Sequence, residues 1–228
     1  MKKLVKIVGF ITLIGVSNVT LSQTTEIKVR FIGNCGLYIT DGNSNIYIDF
    51  PYKSGAHNYM EYDLSELDSV KGNPIFIYTH KHSDHFAGRL VKKLAKKLGG
   101  KIYSPWNVKE LLKVNDELKD FKIEVYKTKH RFSINHYSYL ITWHNKEIFI
   151  SGDTEHAETI ATLKDIDWAF IPVWLLMDAN EKGIKLKEVS KMFAIYHIGP
   201  GDKITNDNKD HRIKLLDKQG EIITIPYN

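Results

Sequence analysis

The sequence predicts a single α/β domain in which two β-sheets pack face to face and helices cover their outer faces. Strand-like segments and helix-like segments occur in both halves of the chain, which favours two sheets, each with helices on one side. The chain has 228 residues, of which 43% are hydrophobic. That length allows one domain with a substantial core and leaves little room for a second.

The first half of the chain begins with a predicted antiparallel meander. Three short segments largely alternate apolar and polar residues, and turn-forming residues at 33–34 and 41–43 separate them. The nearly continuous apolar run at residues 74–78 then predicts a buried strand. A helical apolar stripe over residues 87–98 ends at two glycines. The meander strands are expected at residues 26–32, 37–40 and 45–50.

The second half alternates in the same way between strand and helix patterns. We predict strands at residues 101–103, 121–127, 137–143, 147–151, 168–173 and 221–225. The predicted helices cover residues 108–114, 155–163 and 185–193.

The N-terminus has the composition of a secretory signal peptide. Lys2, Lys3 and Lys6 precede an apolar run of about ten residues, which is too short for a membrane span of roughly 20 residues. We therefore expect a cleaved signal peptide at residues 1–22, a mature domain at residues 23–228, and export to the periplasm or the medium of a bacterium. A retained N-terminal anchor is the alternative; otherwise no stable membrane insertion is expected after cleavage.

The net charge of the predicted mature chain limits the kinds of molecule that it can be expected to bind. Without the three lysines of residues 1–22, 29 basic residues face 27 acidic ones, a net charge of +2. This is a weak electrostatic footprint for a nucleic-acid-binding protein, so we expect a small-molecule substrate and no nucleic acid.

Cys35 is the only cysteine, which excludes an intramolecular disulfide. We interpret Cys35 as a packed core residue, with a reactive thiol as the alternative.

The segment Thr79-His80-Lys81-His82-Ser83-Asp84-His85 directly follows the buried strand at residues 74–78. Alternate side chains of an extended chain share one side, so His80, His82 and Asp84 can converge. His85 can join them when the chain turns into the next helix. Imidazole and carboxylate groups are good ligands for zinc and related metals. The pattern therefore predicts a metal site.

This motif resembles the signature of the metallo-β-lactamase superfamily, His-X-His-X-Asp-His after a buried strand. That family has a further histidine after a later strand, an aspartate in a Gly-Asp element and a final histidine near the C-terminus. His130, Asp153 and His197 match these positions, and Asp49 resembles the family's strand-end aspartate. The resemblance spans about residues 26–225. It implies an αββα sandwich of two mixed sheets.

The resemblance also implies a ligand set for two divalent cations, with Zn²⁺ favoured over Mn²⁺ or Fe²⁺. His80, His82 and His130 would hold one cation. Asp84, His85 and His197 would hold the other, and Asp153 would bridge them. Two cations about 3.5–4 Å apart lower the pKa of a shared water so that hydroxide exists near neutral pH. Asp84 is the expected catalytic residue, because it can also relay a proton.

Three points stay open at the level of the sequence. His136 competes with His130 for the third histidine position, although His130 ends a predicted strand. The aromatic loop with Tyr52, His57, Tyr59 and Tyr62 and the segment at residues 174–177 either shape a pocket or pack beneath a loop. The favoured function is hydrolysis of a small ester, lactone, amide or phosphoester. The alternatives are an iron-dependent oxidoreductase and a metal-binding module without turnover. Oligomeric state is not predicted.

Overall fold

Two six-stranded β-sheets form the part of the chain that the computed structural model describes, namely residues 25–199, 201–202, 204 and 210–227. The predicted signal peptide at residues 1–22 lies outside these residues. Each sheet contains antiparallel and parallel neighbours. The sheets are therefore mixed, as the resemblance implied.

The first sheet has the strand order β12-β1-β2-β3-β4-β5. The strands β1, β2 and β3 form an antiparallel meander. The strands β4 and β5 run parallel to β3, and crossover connections join these parallel strands. The strands are β1 (Glu26–Gly33), β2 (Gly36–Thr40), β3 (Asn45–Ile48), β4 (Ile75–Ile77), β5 (Lys101–Tyr103) and β12 (Ile222–Pro226).

The second sheet has the order β11-β10-β9-β8-β7-β6 and repeats this plan. The strands β6, β7 and β8 are antiparallel, whereas β8, β9, β10 and β11 are parallel. The strands are β6 (Phe121–His130), β7 (Ser133–Trp143), β8 (Lys146–Ile150), β9 (Ile166–Pro172), β10 (Ser190–Tyr196) and β11 (Ile213–Leu215).

The helices lie in the connections between strands. They are α1 (Ser65–Asp68), α2 (Gly88–Leu98), α3 (Val108–Leu111), α4 (Glu158–Ala161) and α5 (Val173–Glu181). Val91, Leu94 and Ala95 form the buried stripe of α2, and its lysines face away from that stripe. Gly99 ends α2 in the left-handed conformation, with φ of 70°.

Three apolar clusters correspond to the layers of the sandwich. The largest contains residues of both sheets, such as Val29, Ile141 and Ile223, and lies between them. A second joins α4 and α5 to the outer face of the second sheet. A third joins α2 to the outer face of the first sheet. Burying an apolar face on each side of each sheet explains why the strands at the sheet centres are almost continuously apolar.

The prediction of a helix at residues 185–193 is wrong. Leu186–Glu188 is a single 3-10 turn, and Ser190–Tyr196 is the strand β10, which pairs in parallel with β9 and β11. The segment has apolar residues at a spacing that resembles a helical stripe, namely Ile184, Leu186, Val189 and Met192. In the structure, however, the backbone of β10 forms its hydrogen bonds with the two flanking strands. The helix α5 and the strand β11 were not predicted.

None of the helices among the described residues has the length and apolar character that crossing a membrane requires.

Candidate metal centre

The predicted site residues meet at one edge of the sandwich, where strands of both sheets end. Residues 79–85 follow β4, Asp49 follows β3, and Asn34 and Cys35 follow β1 in the first sheet. In the second sheet His130 ends β6, Asp153 follows β8 and His197 follows β10. Because these strands run in the same direction within each sheet, their carboxyl ends gather at one edge, where α/β proteins commonly bind ligands.

Sharp backbone turns at these strand ends direct the side chains inward. Asn34, Asp49 and His197 have positive φ angles of 48°, 47° and 56°. Such conformations are uncommon for residues other than glycine and concentrate at functional sites. Gly152 has φ of 59°, and a Cβ atom there would lie 2.8 Å from His136 Nε2 and 2.9 Å from Thr79 Cβ. The Gly-Asp element therefore needs its glycine for this close approach.

Asp49 orients two of the histidines. Its Oδ2 accepts hydrogen bonds from His85 Nδ1 at 2.9 Å and from Thr79 Oγ1 at 2.6 Å, and its Oδ1 accepts one from the Thr79 backbone N–H at 2.7 Å. Thr79 Oγ1 lies 3.0 Å from His80 Nδ1. Because Thr79 donates to Asp49, its oxygen is left to accept from His80. Both rings thus direct Nε2 away from this network, as histidine ligands held by a carboxylate do.

His80, His82 and His130 form the first ligand group. Their ligand atoms all lie within 4.8 Å of one another. His130 Nε2 is 3.2 Å from His82 Nδ1 and 3.9 Å from Asp153 Oδ2. His80 is fully buried, and its Nε2 has no hydrogen-bond partner within the described residues. A buried nitrogen without a partner costs about 1–3 kcal/mol, which a cation at this point would remove.

Asp84, His85 and His197 form the second group around Asp153. Asp153 Oδ2 lies 3.0 Å from His85 Nε2 and 3.1 Å from His197 Nε2. Asp84 Oδ2 lies 3.4 Å from each of the same two nitrogens. Neither carboxylate has hydrogen-bond geometry toward His197, so its buried Nε2 lacks a hydrogen bond within the described residues. The structure therefore brings together all seven residues that the sequence singled out.

His136 is fully buried beside the cluster, but both its nitrogens are already used. Its Nε2 accepts the Asp153 backbone N–H at 2.9 Å, and its Nδ1 lies 2.7 Å from Thr128 Oγ1. Burial lowers the pKa of His136 to about 3, so the ring is neutral and can accept this hydrogen bond. His136 thus holds Asp153 in place, whereas His130 presents its Nε2 to the cluster.

Burial and the carboxylates shape the charge of the centre. Burial lowers the pKa of His80 and of His130, which keeps these rings in the neutral form that binds metals. Burial alone would raise the pKa of Asp153, but His197 and His85 hold it well below its usual value. Burial alone would lower the pKa of His85 and of His197, but the neighbouring carboxylates raise both, that of His197 to about 8, so a cation bound here would displace protons from these two rings. Carboxylates together with imidazoles are a donor set that suits first-row divalent cations.

Two residues of the β1–β2 turn make contacts with the cluster that the sequence did not predict. Asn34 donates from Nδ2 to the Asp84 backbone oxygen at 3.0 Å, and its own backbone oxygen accepts the His197 N–H at 3.0 Å. Cys35 Sγ lies 3.6 Å from Asp153 Oδ1. The prediction that Cys35 is buried is correct, but Cys35 packs directly against the ligand cluster. Its position next to a turn at the end of a strand was the only signal in the sequence.

A cavity of about 620 Å³ opens onto the cluster. His82, Asp84, His130 and Asp153 lie at its base, and its walls include His57, Tyr59, Arg131, Phe132, Glu155 and Trp174. Tyr52 and Tyr62 instead pack in the apolar cluster beneath the loop. The aromatic loop therefore does both things that the sequence left open: His57 and Tyr59 line the cavity, and Tyr52 and Tyr62 pack beneath the loop.

Solved structures resemble this fold over nearly the whole chain, although no family model matches the sequence. Igni18, a metallo hydrolase from the archaeon Ignicoccus hospitalis, is 17% identical with a TM-score of 0.67, over 90% of this chain and 100% of that one. YhfI from Bacillus subtilis, a metallo-β-lactamase fold protein, is 16% identical with a TM-score of 0.59, over 88% and 100%. CmlA from Streptomyces venezuelae, a diiron β-hydroxylase, is 9% identical with a TM-score of 0.52, over 76% and 45%.

The two mixed sheets and the outer helices agree with these similarities. The chain has the metallo-β-lactamase fold.

Proposed function

We propose that this protein is a metal-dependent hydrolase of a small organic substrate, with a centre for two divalent cations. His80, His82 and His130 hold the first cation, and Asp84, His85 and His197 hold the second. Asp153 bridges the two, because its Oδ2 lies within 3.9 Å of ring nitrogens from both groups. Zn²⁺ suits these imidazole and carboxylate ligands best, and Fe²⁺ and Mn²⁺ are the other candidates.

The observation that carries the proposal is a set of buried ring nitrogens that lack a hydrogen bond within the described residues. His80 Nε2 and His197 Nε2 are among the few buried side-chain nitrogens in the described residues that lack a hydrogen bond, and both face Asp153. Packing and hydrogen bonds alone do not explain these nitrogens, since each buried polar group that lacks a hydrogen bond is destabilising. Cations would satisfy both.

Bound cations of this kind polarise a substrate oxygen and make a water molecule nucleophilic at neutral pH. The chain contributes the positioning of the reacting groups. Asp84 lies at the base of the cavity and accepts a hydrogen bond from Asn34, while its Oδ1 lies 3.9 Å from His57 Nε2. Asp84 can therefore take up a proton during hydrolysis, and the largely exposed His57 is placed to pass it to solvent.

The cavity restricts the substrate class. Its volume of about 620 Å³ is within the usual range of small-molecule sites. Phe132 and Trp174 offer apolar surface, and Arg131 offers a cation that can pair with an anionic group. We therefore propose an ester, lactone, amide or phosphoester with an apolar body. Igni18, whose fold is similar, is a metallo hydrolase, which supports hydrolysis as the reaction type.

Metal analysis of the purified protein, combined with a panel of lactone, thioester, β-lactam and phosphodiester substrates, tests the proposal. We expect two equivalents of metal and turnover that a chelator abolishes and added metal restores. His82→Ala should remove turnover and leave the fold intact. His144→Ala is the matched control, because His144 contacts Asp41 and Tyr227 away from the centre. Turnover that survives His82→Ala or the chelator would refute the assignment.

The same measurements identify the two alternatives. Bound iron with oxygen-dependent turnover would indicate an oxidoreductase, the class of the diiron β-hydroxylase CmlA. Bound metal without turnover on any substrate would indicate a binding module.

We also propose that the protein is exported, on the basis of the basic and apolar residues 1–16. N-terminal sequencing of the protein from its native cells should find a mature chain that begins near residue 23. A chain that still begins at Met1 would contradict the proposal.

A further inference from the structure

Cys35 is buried at the end of β1, in the turn that leads into β2, and its side chain is fully shielded from solvent. Its Sγ lies 3.6 Å from Asp153 Oδ1, the oxygen of that carboxylate that does not face the histidines. Most buried cysteines pack only against apolar groups. Cys35 instead has a carboxylate and two imidazoles as neighbours.

The cysteine belongs to a set of four potential ligands. One ligand atom each from Cys35, His85, Asp153 and His197 lies within 4.8 Å of the other three, and all four residues are buried. Two further observations point to a bound ion here. His197 is 1% exposed, and neither of its ring nitrogens has a hydrogen-bond partner within the described residues.

The separations suit a tetrahedral centre. With metal–sulfur bonds of about 2.3 Å and metal–nitrogen or metal–oxygen bonds of about 2.0–2.2 Å, neighbouring ligand atoms are roughly 3.3–3.6 Å apart. Asp153 lies 3.0 Å from His85, 3.1 Å from His197 and 3.6 Å from Cys35, measured to the nearest carboxylate oxygen. The remaining pairs need to close by less than about 1.5 Å, which side-chain rotation within a rotamer well can supply.

We propose that the thiolate of Cys35 is a direct ligand of the second cation, together with His85, Asp153 and His197. This inference rests on the proposed two-cation centre. Cys35 takes the place that the proposed function gives to Asp84 among the four ligands of the second cation, and Asp84 keeps its role as a proton acceptor. The proposal assigns to Cys35 a role that its position in the β1–β2 turn, far in sequence from the other ligands, did not reveal.

Binding of the cation exchanges a proton for a metal–sulfur bond. In the metal-free protein, the Cys35 thiol donates a hydrogen bond to Asp153 Oδ1 at 3.6 Å and therefore carries its proton. When the cation binds, the proton leaves to solvent and the sulfur electron pair goes to the metal. A sulfur ligand favours zinc and other borderline or soft cations over Mn²⁺, Mg²⁺ and Ca²⁺. The second position should therefore discriminate among metals more strongly than the first position, which has no sulfur ligand.

Cobalt substitution separates this inference from the proposed function. The metal-free protein is titrated with Co²⁺ and its absorption spectrum is recorded. Visible ligand-field bands report Co²⁺ held by histidine and carboxylate, whereas a near-ultraviolet sulfur-to-cobalt charge-transfer band reports a thiolate ligand. Because Cys35 is the only cysteine, such a band has a single source. We expect visible bands with both equivalents and the charge-transfer band with one of them.

Cys35→Ala should lose the charge-transfer band completely and keep the visible bands. It should also bind its second equivalent of Zn²⁺ at least tenfold more weakly, because loss of even a supporting group costs about 10–100-fold in affinity. Visible bands without charge transfer in the unmodified protein would overturn the role of Cys35 and leave the metal centre standing. Absence of both signals would refute the metal centre itself.

X-ray absorption of the unmodified zinc protein provides a test that needs no variant. A sulfur neighbour at about 2.3 Å from zinc is expected. A shell containing only nitrogen and oxygen would mean that the Cys35 thiol merely donates a hydrogen bond to Asp153, and would overturn the inference.

Discussion

Asp49 orients candidate metal ligands without belonging to the proposed ligand set. Its carboxylate holds His85 directly and His80 through Thr79. We expect Asp49→Asn to weaken metal binding about 10–100-fold, because an amide cannot accept all three of these hydrogen bonds. Competition with a chromophoric chelator measures the affinity.

Asp41→Asn is the control for that experiment. Asp41 is also a buried aspartate that bonds a histidine, His144, but it lies in the β2–β3 turn at the opposite end of β2 from Gly36. Asp41→Asn should change stability and leave metal affinity unaltered. Equal affinities for Asp49→Asn and the unmodified protein would show that Asp49 does not position the ligands.

The neighbouring histidines His130 and His136 should respond to truncation in opposite ways. His130→Ala should remove one equivalent of bound metal and leave the stability of the metal-free protein within about 0.5 kcal/mol. His136→Ala should destabilise the metal-free protein by about 1–3 kcal/mol, because the buried N–H of Asp153 loses its acceptor. Metal analysis and urea unfolding distinguish the two. If His130→Ala still binds two equivalents of metal, His130 is not the third histidine ligand.

At the scale of elements, the sequence predicts where most strands lie in the chain better than it predicts which strands pair with one another. The run at residues 74–78 and the turn residues around the meander are local signals, and β1 to β4 lie where these signals indicated. The strand β10 was missed, because its pairing with β9 and β11 is a contact between segments far apart in the chain. The apolar residues Phe193–Tyr196 directly before His197 could have identified β10 as a buried strand, as the run before His80 identified β4.

The site was predictable for a different reason. Four ligands lie within six residues, so their convergence needs only a strand that ends in a turn. His130, Asp153 and His197 could be chosen only through resemblance, because their approach depends on how the second sheet packs on the first. Cys35 and Asn34 carry no motif, and only the folded structure shows that the β1–β2 turn contacts Asp84, Asp153 and His197.

A partly buried ion pair links helix α1 to the first sheet. Arg30 on β1 makes two hydrogen bonds, of 2.5 and 2.6 Å, to Glu66, and Gln219 donates a third. Burial opposes the charge on Glu66, but the hydrogen bonds from Arg30 and Gln219 lower its pKa overall. A lowered pKa in the folded state means that this stabilisation is complete above the unfolded pKa of about 4.3 and is lost as the pH falls through the folded value.

Glu66→Gln should therefore lower the free energy of unfolding by about 1–3 kcal/mol at pH 7. The difference from the unmodified protein should shrink as the pH falls below about 4. Urea unfolding at several pH values measures it. Glu26→Gln, which breaks the exposed pair with Lys28 on the same strand, should change stability by no more than about 1 kcal/mol. A pH-independent difference for Glu66→Gln would contradict the role of its charge.

At the scale of the whole molecule, the candidate centre joins the two sheets. His80, His82, Asp84 and His85 come from the end of β4 in the first sheet, whereas His130, Asp153 and His197 come from strand ends of the second. Cations held by ligands from both sheets would bind only when the sheets are packed together. Metal binding should therefore be linked to folding, with stabilisation that grows as the logarithm of free metal concentration.

Chelation should consequently destabilise the protein as a whole and loosen one edge in particular. At a free metal concentration 100 times the dissociation constant, one site contributes about 2.7 kcal/mol to the free energy of unfolding, so the thermal midpoint should fall when metal is removed. Amide hydrogen exchange should accelerate at residues 79–85, 151–154 and 197–199. It should stay unchanged in the turn at residues 41–44, at the far end of β2. Uniform acceleration along the chain would mean that the cations stabilise the protein without acting as a clamp between the sheets.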